Sequence, residues 1–350
     1  MPEVTLKDVA QAAGVHPSTV SRALDPAKTW LVNAQTRERV IAAAGELGYQ
    51  PDVLASSLRR GRTDTIGMVV SDLGNPYIAP VVRGIENALE GRGLMAMIAE
   101  TQDDQTRTNR VFDHLLRRRV DAIITAATRA SDRAILKKVA RTVPTVLAVR
   151  PLARSGLPSI TNDDRLGATL AAQHLADLGH RRVAQLVGPL DVGNFELRRQ
   201  AFADTARRAG IEVLEIPETA TTPTLPEGRR LMVALLQRHP RLPTAVFAHN
   251  DLMALGALAV LGEYGVSCPN DVSLIGYNDT PTAAFTNPAL TTVSLPGYEL
   301  GRLAAEMAVT LVERPATAPT QLCLPPSLVV RGSTTTPPRL SDSLLRWVQP

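Results

Sequence analysis

Residues 4–24 read VTLKDVAQAAGVHPSTVSRAL, and the fold of the amino-terminal part of the chain is inferred from this stretch. Apolar residues recur over residues 6–13 at the spacing of one face of an α-helix. Thr5 precedes them as the expected N-cap, and Asp8 three residues later completes the pattern of a capping box. Gly14 ends the helix. The stretch therefore predicts a short capped helix followed by a tight turn.

Two more helices are predicted in the first fifty residues. Pro17 favours the start of a second helix, because the backbone N–H that proline lacks would have no partner in the first turn anyway. This helix is expected to run to about Leu24, with Val20 and Leu24 facing inward. A third helix is expected over about residues 34–47. Its predicted buried residues are Val40, Ile41, Ala44 and Leu47. The pattern predicts an all-α amino-terminal domain.

Two helices joined by a glycine turn have the geometry of a helix-turn-helix, whose second helix enters the major groove of DNA. Arg22 lies one turn after Ser18 on the same face, and arginine bonded to guanine is the commonest specific base contact. The residues expected at base edges are Pro17, Ser18, Ser21 and Arg22. The hydroxyls suited to phosphate oxygens belong to Thr5, Thr19 and Ser21. Spacing alone leaves a plain helical hairpin equally open.

From Thr65 onward short apolar segments alternate with amphipathic ones. The expected strands cover residues 66–70, 94–99, 122–125, 143–149, 183–187, 245–248 and 273–277. Amphipathic helices between them include residues 78–92 and 166–178. Short apolar strands that alternate with helices form a parallel sheet covered on both faces. The strands are too many for one small sheet, so two doubly wound lobes are predicted.

Composition limits the class of protein. The chain has 350 residues, 44% of them hydrophobic, which is enough for two or three packed domains. Its formal net charge of +4 is only a weak argument for nucleic-acid binding. No apolar run reaches the roughly 18 residues of a membrane span, and the first residues do not form a signal peptide. Cys268 and Cys323 have no partner at metal or redox spacing, so both are predicted to be buried reduced thiols of a cytoplasmic protein.

The amino-acid sequence of several segments closely resembles that of the LacI/GalR family of bacterial transcriptional repressors. In the amino-terminal part the matching segments are VTLKDVAQAAGV (4–15), STVSRAL (18–24), GYQPD (48–52) and LASSL (54–58). In the rest of the chain they are IGMVV (66–70), NP (75–76), GP (188–189), NDLMALG (250–256), DVSLIGY (271–277) and LTTV (290–293). The resemblance covers roughly residues 4–332, and the order of its motifs is highly specific.

The resemblance implies a helix-turn-helix headpiece, a hinge helix and an α/β two-lobed core like that of periplasmic sugar-binding proteins. The implied domains are a headpiece over residues 1–49, a hinge helix and linker over 50–63, an effector-binding and dimerisation core over 64–335, and a tail over 336–350. The first lobe of the core is expected over about 64–162 and 292–323, and the second over about 163–291 and 324–335.

Members of the family act as homodimers on pseudo-palindromic operators, so operator DNA and a second copy of the chain are implied partners. A hinge leucine of the family wedges into the minor groove, and Leu58 matches it. An apolar wedge at a flexible base step kinks the duplex. The basic residues that follow Leu58, beginning with Arg59, favour a segment that faces DNA. The alternative that Leu58 is an ordinary buried leucine stays open. In two departures, His16 replaces the usual capping serine, and Pro17 lacks a side-chain donor at a position that often reads a base.

A small molecule bound between two α/β lobes meets the carboxyl ends of strands. The polar residues that follow predicted strands include Asp72, Tyr77, Arg150, Asn250 and Asn278. The resemblance implies that Asn250 and Asn278 contact the effector, and it adds Arg198 and Asp163. Val149 and Asn278 stand where many members carry aspartate. The pocket should therefore hold few carboxylates, which favours a neutral or anionic ligand paired with Arg150 and Arg198 over a simple hexose.

The implied function is a sequence-specific DNA-binding repressor controlled by a small-molecule effector, a sugar or related metabolite. No cofactor, metal or catalytic residue is expected, and the protein is expected in the cytoplasm, associated with the nucleoid. A nucleotide-dependent enzyme is disfavoured, because the chain lacks the glycine-rich phosphate loops and the nucleophile elbow of such folds. A secreted solute-binding protein shares the two-lobed core, but the headpiece and the missing signal peptide argue against it.

Overall fold

The structure is a computed structural model that describes residues 4–49, 61–214, 216–239, 241–315 and 318–338. Contacts between α-carbons divide the chain into two compact units, residues 1–63 and residues 64–350. The expected hinge contacts Leu58 and Arg59 lie outside the described residues.

The first unit contains the predicted helices. They are α1 (Leu6–Ala12), α2 (Pro17–Ala23) and α3 (Ala34–Leu47), with a 3-10 helix (Pro26–Leu31) before α3. Val9, Val20 and Val40 come one from each helix and are fully buried together. Gly14 and Gly48 follow α1 and α3 with positive φ angles of 61° and 65°, which glycine adopts without steric cost. The expected all-α headpiece is confirmed.

One part of the headpiece prediction is wrong. Ile41 and Leu47 were expected in its core, but they are 47% and 39% exposed. The helices α1 and α2 have only seven residues each, whereas α3 has 14. The two short helices therefore cover only one strip of α3. Small residues, Ala43 and Ala44, fill that strip beside Val40 and allow the helices to approach closely.

The second unit alternates strands and helices. In chain order its elements are β1 (Thr65–Val70), α4 (Ile78–Glu90), β2 (Met95–Glu100), α5 (Gln105–Arg117), β3 (Ala122–Thr125), α6 (Arg133–Val139), β4 (Thr145–Val149), β5 (Ser159–Asn162), α7 (Asp164–Asp177), β6 (Arg182–Leu186), α8 (Gly193–Arg208), β7 (Glu212–Leu214), α9 (Leu225–Arg238), β8 (Ala245–Ala248), α10 (Asp251–Glu263), β9 (Ser273–Asn278), β10 (Thr291–Ser294), α11 (Gly297–Glu313), β11 (Gln321–Leu324) and β12 (Ser327–Val329). Short 3-10 helices precede α6 and β10.

The strands form two six-stranded sheets, one in each lobe. The first sheet has the order β11-β5-β4-β3-β1-β2, and the second has the order β12-β10-β9-β8-β6-β7. Neighbouring strands run parallel except β10 and β12, which are antiparallel. Strands β3, β4 and β8 are buried along their whole length, as parallel strands covered by helices on both faces must be. The predicted α/β two-lobed core is confirmed.

The chain passes between the lobes after β5, after β10 and between β11 and β12. These strands lie at the same edge of their sheets, so the three connections form a hinge between the lobes along that edge. This hinge is distinct from the hinge helix expected over residues 50–63. The expected end of the second lobe at residue 291 falls inside β10, which pairs in register with β9 from Thr291 to Ser294. The passage back to the first lobe therefore follows Ser294.

Close packing of α4 against α11 shapes the first lobe. A Cβ atom at Gly84 would overlap the carbonyl oxygen of Tyr298, and one at Gly301 would overlap that of Val81. These glycines let the two helix backbones approach closely.

The cysteines depart in part from the expectation of two buried thiols. Both are free thiols, but Cys268 is only half-buried, and Cys323 is exposed on β11, because the outermost strand of a sheet has one open side. Burial raises the pKa of Cys268 to about 12. Within the described ranges, no helix is long and apolar enough to span a bilayer.

Candidate DNA-binding helix and effector cleft

The amino terminus of α2 carries the residues expected at base edges. His16 is its N-cap, and its Nδ1 accepts a hydrogen bond from the Ser18 backbone N–H at 3.2 Å. The same nitrogen lies 2.8 Å from the Ser18 hydroxyl. His16 thus caps α2 as a serine commonly caps a helix, and it orients the Ser18 side chain.

Ser18 and Arg22 are both exposed and lie four residues apart on α2. Arg22 has no intramolecular partner among the residues that the structure describes, so its guanidinium is available to an external acceptor. Pro17, Thr19 and Ser21 are half-buried on the same helix. This face of α2 offers one long cation and short polar side chains, which suits the edges of base pairs.

Thr5 is committed to the cap of α1. Its hydroxyl and its backbone N–H both donate to Asp8 Oδ2, each at 2.7 Å. The hydrogen bond from the Thr5 hydroxyl, with that from its backbone, lowers the pKa of Asp8. In this arrangement the hydroxyl proton of Thr5 is not available to a phosphate oxygen.

A narrow cleft with a cavity volume of about 30 Å³ lies between the two lobes of the core. Side chains from both lobes line it: Ser71, Asn75, Tyr77, Ile78, Ala126, Val149, Arg150, Asn194, Phe195, Arg198, Pro223, Asn250 and Asn278. The structure therefore brings together most of the expected effector contacts, namely Tyr77, Arg150, Arg198, Asn250 and Asn278.

Arg150 enters the cleft from the end of β4 and is paired with Asp103. Its two terminal nitrogens lie 2.5 and 3.1 Å from the carboxylate oxygens of Asp103, and the second also donates to Ser71 Oγ at 3.0 Å. The Asp103 side chain is only 6% exposed. A buried carboxylate thus balances the charge of Arg150. Sequence reasoning missed Asp103, although it stands three residues after the end of β2.

Arg198 projects from α8 and is paired with Asp164. Its Nε donates to Asp164 Oδ1 at 2.7 Å, and another nitrogen donates to the His249 carbonyl oxygen at 2.5 Å. The guanidinium carbon stands 3.7 Å from the ring centre of Tyr277. Burial opposes the charge of Arg198, but the Asp164 carboxylate keeps its pKa above the ordinary value. This second cation is therefore also balanced by a buried anion.

Two expected effector contacts do not reach the cleft lining. Asp163 is the N-cap of α7, where its Oδ1 accepts from the Leu166 backbone N–H at 2.9 Å. Its neighbour Asp164 pairs with Arg198 instead. Asp72 closes a turn by accepting from the Gly74 backbone N–H at 2.7 Å. Both side chains satisfy local backbone donors, which holds them in their loops.

Amide side chains supply the remaining polar surface of the cleft. Asn194 is 5% exposed, and its Oδ1 has no hydrogen-bond partner in the described part of the chain. Asn250 caps α10 through Met253 and donates to the Pro223 carbonyl oxygen at 2.7 Å. Sequence reasoning missed Asn194, which precedes Arg198 by one helical turn and so shares its face. The buried acceptor of Asn194 needs a donor from a bound molecule or water.

The backbone is strained where β4 and β9 reach the cleft. Val149 has φ +66° and Asn278 has φ +113°, and both residues line the cleft. A β-branched residue in the left-handed region is uncommon, and such strain costs about 1–3 kcal/mol per residue. Beyond Asn278, the backbone N–H of Thr280 donates to Asp251 Oδ2 at 2.6 Å, which fixes the turn after β9.

His249 stands behind Arg198 and stays neutral. Burial, with the positive charge of Arg198, holds its pKa well below the ordinary value. Its Nδ1 accepts from the Gly188 backbone N–H at 3.3 Å, and its Nε2 lies 3.0 Å from Gln185 Oε1. Over the described ranges, no group of three histidine, cysteine or acidic side chains is placed to hold a metal ion.

Comparison with known proteins supports both units. Residues 5–52 match the family described as bacterial regulatory proteins, lacI family, and residues 172–334 match a periplasmic binding protein-like domain. The chain is 36% identical over 331 residues to the ribose operon repressor of Escherichia coli (strain K12), which covers 94% of this chain and 99% of that repressor.

Two solved structures show the same architecture. The Lac repressor dimer bound to operator and the anti-inducer ONPF has a TM-score of 0.85 and 29% identity, over 95% of this chain and 99% of that one. A LacI family transcriptional regulator from Enterococcus faecium with bound ribose has a TM-score of 0.66 and 27% identity, over 78% of this chain and 99% of that one. The helix-turn-helix unit, the two-lobed core and the identity along nearly a whole repressor show that the chain belongs to the LacI family of bacterial regulatory proteins.

Proposed function

We propose that the chain is a sequence-specific DNA-binding repressor whose operator affinity is controlled by a small, neutral, polyhydroxylated molecule bound in the cleft between the lobes. The observation that carries this proposal is the charge balance of the cleft. Arg150 and Arg198 are its two cations, and each is bonded to a buried carboxylate, Asp103 or Asp164.

This balance revises the expected ligand class. The sequence predicted few carboxylates in the pocket and a neutral or anionic ligand paired with Arg150 and Arg198. An anion would have to compete with carboxylates that already hold the guanidinium groups in a site of low dielectric. A hydroxyl group both donates and accepts, so it can donate to Asn194 Oδ1 and accept from an amide N–H. The apolar face of a sugar ring can lie against Phe195, which also lines the cleft.

Two relatives identify the first molecule to test. One is named for the ribose operon, and the other was solved with bound ribose. D-ribose is neutral and carries several hydroxyl groups, so it fits the charge balance of this cleft. We therefore propose D-ribose or a chemically similar sugar as the effector.

For the DNA, we propose that α2 reads the major groove through Ser18 and Arg22, with Pro17 in apolar contact and Thr19 and Ser21 near phosphates. A two-fold operator needs two headpieces, so the acting form is a homodimer. The relatives are transcriptional repressors, and we propose that the chain has no catalytic activity. It would act in the cytoplasm, associated with the nucleoid.

The ligand proposal is tested by isothermal titration calorimetry with D-ribose and with ribose 5-phosphate, which differ by one anionic group. We expect the neutral sugar to bind at least about tenfold more tightly, since the phosphate would meet no free cation and would lose hydration. Asn194→Leu should weaken binding of the sugar, because it removes the acceptor of one hydrogen bond. If the phosphate ester binds more tightly than the sugar, the neutral ligand class is wrong.

A further inference from the structure

An ion pair joins the two lobes across the cleft. Arg129 follows β3 in the first lobe, and Asp191 follows β6 in the second. The Arg129 guanidinium donates to both oxygens of the Asp191 carboxylate, at 2.7 and 2.9 Å. Beside it the Ala130 backbone N–H donates to the Asp191 carbonyl oxygen at 2.8 Å. Three hydrogen bonds therefore link the lobes at one point.

This point lies away from the hinge. In the first sheet β3 is two strands from β5, where the chain leaves the lobe, and in the second sheet β6 is three strands from β10. Neighbouring strands are about 4.8 Å apart, so the ion pair is roughly 10–15 Å from the hinge edge. A rotation that opens the lobes about that edge must therefore separate Arg129 from Asp191.

A steric contact nearby shows how closely the lobes approach. Gly193 is the first residue of α8 in the second lobe, and a Cβ atom on it would lie 2.8 Å from the carbonyl oxygen of Pro151 in the first lobe. That is closer than such atoms come in proteins, and the obstructing atom belongs to the backbone. Residue 193 can hold a side chain only if the lobes move apart or the backbone shifts.

The ion pair is also connected to the effector cleft. Arg129 donates to the Asp103 carbonyl oxygen at 3.3 Å, and its guanidinium lies 3.5 Å from Asp103 Oδ1. The same carboxylate holds Arg150 by two hydrogen bonds. Asp103 thus stands between an arginine that lines the cleft and the arginine that bridges the lobes.

We propose that Arg129 and Asp191 form a latch that holds the lobes closed, and that Asp103 couples this latch to Arg150. Asp103 is the positioning residue, since it orients both guanidinium groups. A ligand that bonds to Arg150 orders the shared carboxylate, which favours the closed latch, and the closed latch in turn holds Arg150 in place. This coupling rests on the proposed function, whereas the latch is a property of the core without ligand.

The latch is tested in the full chain without ligand, by double electron–electron resonance. Spin labels are placed through a non-natural amino acid at exposed positions 134 and 218, one in each lobe, and labelled chain is diluted into excess unlabelled chain. The variants are Asp191→Asn, which weakens the ion pair, and Gly193→Ala, which separates the lobes sterically. The control is Arg229→Ala, which breaks a two-bond ion pair with Glu263 inside the second lobe.

Both latch variants should move population from the parent distance to a longer one, changing the ratio of closed to open cores by about three- to tenfold. The control should reproduce the parent distribution. Parent-like distributions in both latch variants, or an equal change in the control, would overturn the latch.

The coupling has a separate measurement, calorimetry with D-ribose as the probe. Asp191→Asn should raise the dissociation constant about three- to tenfold, and Arg229→Ala should leave it unchanged. An unchanged constant in Asp191→Asn would refute the coupling. If D-ribose fails to bind the parent, the proposed effector is wrong, while the spin-label distances still decide the latch.

Discussion

The variant Arg198→Ala tests whether the charge pair behind the cleft supports the second lobe as well as the ligand site. The side chains of Arg198 and Asp164 are 3% and 1% exposed, so removal of the arginine leaves a carboxylate without water or a cation. Its Oδ2 already has no hydrogen-bond partner within the described residues.

The expected loss follows from these contacts. Removing one partner of a buried ion pair costs about 3–5 kcal/mol, because the other charge stays buried and uncompensated. The stacking of Arg198 on Tyr277 adds about 1–2 kcal/mol. The free energy of unfolding of the core should therefore fall by roughly 4–7 kcal/mol near neutral pH. Replacing the pair by apolar residues, in Arg198→Met with Asp164→Leu, should cost much less.

The loss should also depend on pH. Burial raises the pKa of Asp164, and Arg198 opposes that rise. In Arg198→Ala the opposition is gone, so the folded-state pKa moves further above the unfolded value. A carboxyl group of this kind destabilises the fold as pH rises through its folded-state pKa and is harmless below the unfolded pKa. The deficit of the variant should thus shrink as the solution is acidified.

The assay is urea unfolding of the full chain, followed by circular dichroism at acidic and at neutral pH. The parent, Arg198→Ala, the double variant and the control Arg229→Ala are compared. A loss of less than about 1 kcal/mol in Arg198→Ala, which is the scale of an exposed ion pair, would show that the buried pair does not stabilise the core as described. A double variant less stable than the single one, or a larger deficit in acid, would show the same.

Three further predictions concern the headpiece and the turn after β9. Arg22→Ala should cost about 1–3 kcal/mol of DNA-binding free energy per half-site and relax specificity at one base pair of a selected operator, as measured by fluorescence anisotropy. An equal loss of affinity for random DNA would make Arg22 a phosphate contact. His16→Ala should destabilise α2 by about 0.5–2 kcal/mol, seen as faster amide exchange, and His16→Ser should restore most of it; equal exchange in both variants would exclude a capping role. Burial raises the pKa of Asp251 to about 6, so its ionisation costs stability as pH rises through that value. As pH rises from about 4 to about 8, the free energy of unfolding of Asp251→Asn should therefore increase by about 1–3 kcal/mol relative to that of the parent. If the difference between their urea midpoints is the same at both pH values, the shift is refuted.

The sequence predicted the strands at the centre of the sheets well and the strands at the hinge edge poorly. The observed β3 and β8 have the predicted ends, because strands buried on both faces appear as continuous apolar runs. In contrast, β10 has three hydroxyl residues among its four, and β11 is largely exposed at the edge. Because β10 has no apolar run to mark it, the boundary between the lobes was placed inside this strand.

The cleft arginines were predicted, but their partners were not. Arg150 follows the end of β4, which is a local feature of the sequence. Its partner Asp103 lies 47 residues away in a loop after β2, and only the tertiary fold brings them together. Likewise the choice between Asp163 and Asp164 depends on where α7 starts, since the first caps the helix and the second faces Arg198. A one-residue difference in that start exchanges the two roles.

A repressor of this kind must recognise a particular DNA sequence as a dimer. The most direct measurement is the affinity of the full chain for a site selected from random duplexes, compared with a scrambled site of equal length at physiological salt. We expect the selected sites to be inverted repeats that are bound about 10³-fold or more tightly than the scrambled site. Equal affinities for the two sites, or selected sites without two-fold symmetry, would contradict it.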